Sequence, residues 1–127
     1  MTNYTVFTYG TLMKDQRNHH YLADSRFLCD AILDGYGLFD TPYDYPAAVK
    51  MDDHTVYGEL YEVDEKTKEM MDELEEVGNL YDCTEVIVKS ESGNKKALFY
   101  EYLKPTEGLK PYTQKSKWIS IKDRKYI

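Results

Sequence analysis

Alternating apolar and polar residues predict a protein built mainly from short β-strands. Five segments combine this alternation with β-branched and aromatic residues, and they are Tyr4–Tyr9, Phe27–Leu33, Thr55–Val63, Tyr81–Val88 and Ala97–Leu103. The turn residues Ser92-Gly93-Asn94 between the last two segments predict a β-hairpin. Gly35-Tyr36-Gly37 predicts a bend, and Thr41-Pro42 opens an irregular stretch that runs through Pro46.

Two other segments have the spacing of helices. Asp15–Leu22 predicts a short helix. The segment 65–77 predicts a longer one because its apolar residues recur every three or four positions, and these residues are Met70, Met71, Leu74 and Val77. We expect Asp64 to cap the start of this helix and Gly78-Asn79 to end it.

These elements predict a single α+β domain over residues 1–127. Strands that follow one another in sequence favour a mostly antiparallel or mixed sheet. We therefore expect a small mixed β-barrel of about six strands flanked by short helices. The C-terminal tail lacks periodicity, and Trp118 and Ile119 are expected to pack it onto the body.

Charge and cysteine content narrow the class of protein. The 16 Lys and Arg residues against 23 Asp and Glu give a net charge of −7, which argues against nucleic acid and anionic membranes as partners. Segment 1–5 does not resemble a signal peptide, and no apolar run approaches the roughly 18 residues of a membrane span.

Cys29 and Cys83 have no zinc or disulfide spacing, so we expect buried free thiols. We expect a cytoplasmic protein, either a monomer or a weak homodimer.

Three features are candidates for chemistry. The loop Tyr9-Gly10-Thr11-Leu12 follows the first strand, where successive N–H groups of a tight turn can bind an anion. Glu73 and Glu75 both border the apolar stripe of the predicted helix near its C-terminus, and periodicity does not choose between them. The helix dipole and partial burial both raise the pKa of a carboxyl placed there, which suits a proton shuttle. Tyr81 begins the next strand.

Three segments, in this order, resemble the γ-glutamylcyclotransferase-like superfamily, which includes the γ-glutamylamine cyclotransferases. Segment Val6–Leu12 is similar to the family's first strand and Tyr-Gly-Thr-Leu loop. Segment Tyr45–Val49 resembles its Tyr-Pro-small-small sequence. Segment Val56–Val63 is similar to its Gly-Glu-Leu-Tyr strand, and Met71–Glu75 with the later Tyr81 is similar to its Leu-Asp-x-x-Glu helix end and following tyrosine.

The resemblance implies an activity and assigns roles to residues. It selects Glu75 as the catalytic residue, because this is the glutamate three positions after Asp72. It implies that Tyr9, Gly10, Thr11 and Leu12 hold a small-molecule γ-glutamyl substrate through backbone N–H groups, and that Tyr81 lines the pocket. The implied reaction cleaves a γ-glutamyl amide to 5-oxoproline and a free amine or amino acid. It requires no metal and no organic cofactor.

Three alternatives stay open at this point. The same fold can catalyse hydrolysis or transfer on a related γ-glutamyl amide. It can also serve as a catalytically silent binding protein that keeps the pocket. A purely structural interaction domain is the third alternative, although the sequence contains no large exposed apolar motif to support it.

Overall fold

The computed structural model describes residues 3–124, so Met1, Thr2 and residues 125–127 lie outside the described part. The predicted absence of a signal peptide rests partly on Met1 and Thr2. The strands and helix occur in the order β1 Asn3–Thr8, β2 Arg26–Asp40, β3 Pro46–Asp64, α1 Glu65–Leu74, β4 Tyr81–Ser90, β5 Gly93–Tyr102 and β6 Lys110–Tyr112. Two short 3₁₀ turns, His19–Leu22 and Ile121–Asp123, complete the described structure.

The six strands form one mixed sheet in the order β3-β1-β5-β4-β2-β6. Strand β2 also pairs with β3, so five of the strands are linked in a closed ring of hydrogen-bonded neighbours. The β1–β5 pairing is parallel and the other pairings between named strands are antiparallel. This ring, flanked by one α-helix and two short turns, confirms the predicted α+β class.

Strands β2 and β3 are much longer than predicted. The predicted bend at Gly35-Tyr36-Gly37 is wrong, because the strand continues past it through a bulge between Asp34 and Tyr36. Gly35 has φ 84°, a conformation that glycine adopts without steric cost, so the bulge is accommodated at this one residue. Pro46 already pairs with Asp40, so the predicted irregular stretch is limited to residues 41–45.

The helical predictions are corrected at their ends. As predicted, Asp64 caps α1, because its carboxylate accepts a hydrogen bond from the Thr67 N–H at 2.8 Å. The helix ends at Leu74 rather than residue 77, since Glu76 has a left-handed backbone with φ 48°. Only a four-residue 3₁₀ turn forms in the predicted helix at 15–22, where Asp15 has φ 68° and cannot begin an α-helix.

The predicted hairpin is confirmed as β4–β5, which runs in register from Ser90↔Gly93 to Tyr81↔Tyr102. The tail adds β6 at the edge of β2, an element that the sequence pattern does not predict. Trp118 packs onto the body as predicted: it is 1% exposed, and its indole N–H donates to Asp40 at 2.9 Å.

Two clusters of buried side chains form the core. One fills the space within the ring of strands and includes Phe7, Leu60, Phe99 and Trp118. The other lies under α1, and its buried members are Val6, Leu12, Leu22, Tyr61, Val63, Met71, Tyr81 and Tyr100. Both cysteines are unpaired, as predicted, but they are half-buried rather than buried. No helix within residues 3–124 has the length and apolar character needed to cross a membrane.

Candidate active site

A pocket of about 350 Å³ opens between the end of β1 with the loop that follows it, the start of β3 and the end of α1. One residue each from β4 and β5 completes its wall. The residues that line the pocket are Phe7, Thr8, Tyr9, Gly10, Thr11, Leu12, Tyr45, Pro46, Glu75, Tyr81 and Tyr100. All of the residues that the family resemblance selects therefore lie around one cavity, and their individual roles stay predictions.

Glu75 lies at the C-terminal end of α1. Its backbone N–H donates to the carbonyl of Met71 at 2.9 Å, which fixes the residue immediately after the last helical turn. No group within residues 3–124 forms a hydrogen bond with its carboxylate, and burial raises the pKa of this carboxyl to about 7. Glu73 is exposed and does not line the pocket. Of the two glutamates that helical periodicity leaves open, Glu75 is therefore the one that lines the pocket.

Tyrosine rings form much of the pocket wall, and their hydroxyl groups are held by the protein. Tyr9 donates to the carbonyl of Tyr100 at 2.6 Å, and Tyr81 donates to the carbonyl of Pro46 at 2.6 Å. The Tyr100 hydroxyl donates to the Asp72 carboxylate at 2.8 Å. Burial is the main cause that raises the pKa of Tyr9, Tyr81 and Tyr100, so all three stay protonated at neutral pH.

The pKa of Glu75 thus differs in kind from the pKa values of the tyrosines around it, because only Glu75 can change its protonation state near neutral pH. The tyrosines around it keep their protons, and the negative charge of Glu75 raises the pKa of each of them further. Glu75 is the lining residue whose proton affinity matches neutral pH. A carboxyl with these properties can take and return a proton during a reaction.

The loop 9–12 lines the pocket, and several of its backbone N–H groups have no protein partner within residues 3–124. Within the described residues, the N–H groups of Gly10, Thr11 and Leu12 donate no hydrogen bond. The loop is held instead through its acceptors: the carbonyl of Gly10 accepts from Met13 at 3.1 Å, and the Thr11 hydroxyl accepts from Asn18 at 3.0 Å. Three N–H groups of pocket-lining residues therefore have no hydrogen-bond partner within residues 3–124.

Position 10 requires glycine because there is no room for a side chain, and not because the backbone has an unusual φ angle. It is not among the glycines with positive φ. A Cβ atom at this position would lie 2.8 Å from Pro46 Cγ, and real Cβ atoms do not make contacts this short. Close packing of the loop against the start of β3 therefore excludes a side chain here.

Tyr100, Tyr45, Pro46 and Thr8 line the pocket although they were not predicted as site residues. Tyr45 and Pro46 fall in a segment that matches the family, which was the available signal. Tyr100 is one of thirteen tyrosines, and only the pairing of β5 with β1 and β4 brings it to the pocket. Among residues 3–124 no group of three or more His, Cys, Asp or Glu side chains is arranged to hold a metal ion.

This fold and pocket define a small enzyme in which one half-buried carboxyl shares a pocket with a loop whose backbone N–H groups have no partner within residues 3–124. The model of the family described as "Gamma-glutamyl cyclotransferase, AIG2-like" matches residues 6–120. The chain therefore belongs to the AIG2-like γ-glutamylcyclotransferase family, and it is an enzyme of the γ-glutamylcyclotransferase type. This family acts on small-molecule γ-glutamyl substrates.

Individual relatives agree with this assignment. The chain is 33% identical over 105 residues to the γ-glutamylcyclotransferase family protein YtfP of Escherichia coli, which covers 83% of this chain and 88% of that protein. It is 34% identical over 98 residues to γ-glutamylaminecyclotransferase A of Danio rerio, covering 70% of this chain and 61% of the relative. The crystal structure of a mouse AIG2-like protein shares the fold, with a TM-score of 0.79 at 23% identity over 88% of this chain and 87% of the mouse chain.

Proposed function

We propose that this enzyme converts a γ-glutamyl amide to 5-oxoproline and a free amine or amino acid, with Glu75 as the general acid/base. The observation that carries the proposal is the state of Glu75. Its carboxylate has no hydrogen-bond partner among the described residues, and its pKa is about 7 in a 350 Å³ pocket. A group with this pKa is suited to both receiving and returning a proton near neutral pH.

The chemistry requires little beyond folding the substrate and moving a proton. Glu75 removes a proton from the α-ammonium group, and the freed amine attacks the γ-carbonyl carbon of the same molecule. A new C–N bond closes the five-membered lactam, and the original amide C–N bond breaks. Glu75 then gives its proton to the leaving nitrogen, and the new ring nitrogen releases its remaining extra proton to solvent. Because the nucleophile is tethered to the carbonyl, the substrate itself supplies most of the proximity.

The loop supplies the second part of the mechanism. During the attack, negative charge develops on the γ-carbonyl oxygen. Fixed N–H donors stabilise that charge effectively because they are already oriented before it forms. We assign this role to the N–H groups of Gly10, Thr11 and Leu12, which line the same pocket as Glu75. Tyr9 and Tyr81 form the walls that fold the γ-glutamyl group. The scheme uses no metal ion and no organic cofactor.

Product analysis identifies the leaving group of the substrate. The name of the zebrafish relative supports an amine as one candidate. We expect 5-oxoproline when the enzyme is incubated separately with a γ-glutamyl-amine, a γ-glutamyl-amino acid and glutathione, and the relative rates identify the leaving group. Glutamate as product would identify a hydrolase, and binding without product would identify a silent binding protein.

The pH dependence of kcat/KM tests the role of the carboxyl. Glu75 must be ionised in the free enzyme in order to accept a proton, so activity is low below its pKa and rises through it. The acidic limb should therefore lie near pH 7, well above the model glutamate value of about 4.3. The substrate α-ammonium has a pKa of about 8, so mildly alkaline conditions are favoured further.

The same profile measured with EDTA provides the control. A mechanism without a metal predicts superimposable curves. An acidic limb at an ordinary glutamate pKa would show that the carboxyl is not tuned by burial, and loss of activity on chelation would contradict the cofactor-free scheme.

A further inference from the structure

A second carboxylate is buried close to the pocket without lining it. Glu59 on β3 is 2% exposed. Its Oε1 accepts hydrogen bonds from the Lys14 backbone N–H at 3.0 Å and from the Tyr61 hydroxyl at 2.8 Å. Its Oε2 forms an ion pair with Lys117 Nζ at 2.8 Å. The reaction scheme does not use this group.

Only the Glu59 side of this ion pair is buried, since the Lys117 side chain is 38% exposed. Removing a carboxylate from water costs several kcal/mol, which one ion pair often fails to recover. The structural consequence of the pair therefore lies in the group that Glu59 binds. Glu59 binds the N–H of Lys14, which lies two residues after Leu12 at the end of the pocket loop. The loop leaves three of its own N–H groups without a partner among the described residues, so it needs anchors elsewhere.

Lys117 completes the arrangement from a distant part of the chain. It belongs to the irregular tail, next to the buried Trp118, and also forms an ion pair with Asp30 on β2 at 2.6 Å. Desolvation lowers the pKa of Lys117, but the hydrogen bonds to Asp30 and Glu59 outweigh it and the pKa is raised. The ammonium group therefore stays charged at neutral pH.

We propose that the Glu59–Lys117 ion pair is a positioning device that fixes the pocket loop through the Lys14 N–H. The inference rests on the proposed function, in which N–H groups of this loop stabilise the transition state. Without the Lys117 charge, the Glu59 carboxylate has lost its counter-ion and is better solvated by moving toward water. Such movement releases Lys14 and lets the Gly10–Leu12 donors shift relative to the substrate. Both Glu59 and Lys117 are positioning residues that do not contact the substrate.

Steady-state kinetics of three variants test the proposal. Lys117→Met keeps the length of the side chain and removes its charge. We expect kcat to fall by roughly tenfold to a hundredfold, the cost of misplacing a catalytic group by about an ångström, with a smaller change in KM. Lys117→Arg should recover most of the activity. Lys89→Met is the matched control, because Lys89 on β4 pairs with Asp34 on β2 at 2.8 Å and forms no ion pair or hydrogen bond with Glu59 within residues 3–124.

Amide hydrogen exchange separates positioning from general destabilisation. All variants are compared well below their thermal unfolding midpoints. The Lys14 amide should lose protection by about tenfold or more in Lys117→Met and keep it in Lys89→Met. Full kcat in Lys117→Met, or an unchanged Lys14 amide, would overturn the proposal. If the wild-type enzyme forms no 5-oxoproline, the proposed function fails, and the Lys14 exchange still decides whether the ion pair holds the loop.

Discussion

Replacement of Glu75 by glutamine is expected to abolish turnover while the fold and substrate binding are largely retained. The two side chains are nearly isosteric, and the change removes only the ionisable group. General acid/base catalysis typically contributes roughly 10²–10⁴-fold to the rate. Here one carboxyl serves both proton transfers, so we expect a loss at the upper end of this range. The measurement is kcat for 5-oxoproline formation, with circular dichroism to confirm folding.

Glu73→Gln is the matched control for this prediction. Glu73 is also a glutamate at the end of α1, but it is exposed and does not line the pocket. This variant should keep most of the wild-type activity. If Glu73→Gln were inactive and Glu75→Gln active, the assignment of the acid/base would be wrong.

Gly10→Val is expected to cause the second-largest loss. The new Cβ would lie 2.8 Å from Pro46 Cγ and 2.9 Å from Pro46 Cδ, so either the loop or the start of β3 must move. Both segments line the pocket, and the displaced loop would carry the Gly10–Leu12 N–H groups away from the γ-carbonyl oxygen. Loss of one such donor typically costs roughly 10²–10³-fold in kcat.

Thr11→Ser provides the comparison within the same loop. It keeps the hydroxyl that accepts the hydrogen bond from Asn18, and it removes only a methyl group. We expect activity close to that of the wild type. Equal kcat/KM for Gly10→Val and Thr11→Ser, measured on folded protein, would eliminate the role proposed for the loop.

Local sequence signals predicted those elements that depend on local interactions. The Asp64 cap and the β4–β5 hairpin involve neighbours in sequence, and both are confirmed. The predicted apolar stripe on the helix is only partly buried: Met71 is buried, whereas Met70 and Val77 are each 40% exposed. The helix stops before residue 77, so helical periodicity no longer applies to Val77.

The elements that the sequence did not predict depend on pairing between strands that are far apart in the chain. The glycines at 35 and 37 are local breakers, yet the pairing of β2 with β3 carries the strand past them through a bulge. Strand β6 has only three residues and exists because it pairs with the edge of β2. No local pattern encodes such contacts, because their energy comes from a partner far away in the chain.

The same limit applies to the site. The family resemblance predicted Glu75 and the 9–12 loop, and the structure brings them together with Tyr81 around one pocket. Tyr100 and the Glu59–Lys117 pair depend on residues separated by dozens of positions, and Lys117 lies in a tail without periodicity. Only the folded chain reveals that these groups surround or support the pocket.

In the proposed reaction the substrate's own α-amine, and not water, attacks the γ-carbonyl carbon. Turnover in ¹⁸O-labelled water, followed by mass spectrometry of the product, tests it most directly. Intramolecular attack forms the lactam without incorporating solvent oxygen, so we expect unlabelled 5-oxoproline together with the free amine. Labelled glutamate, or 5-oxoproline that carries the label after passing through glutamate, would contradict the proposed reaction.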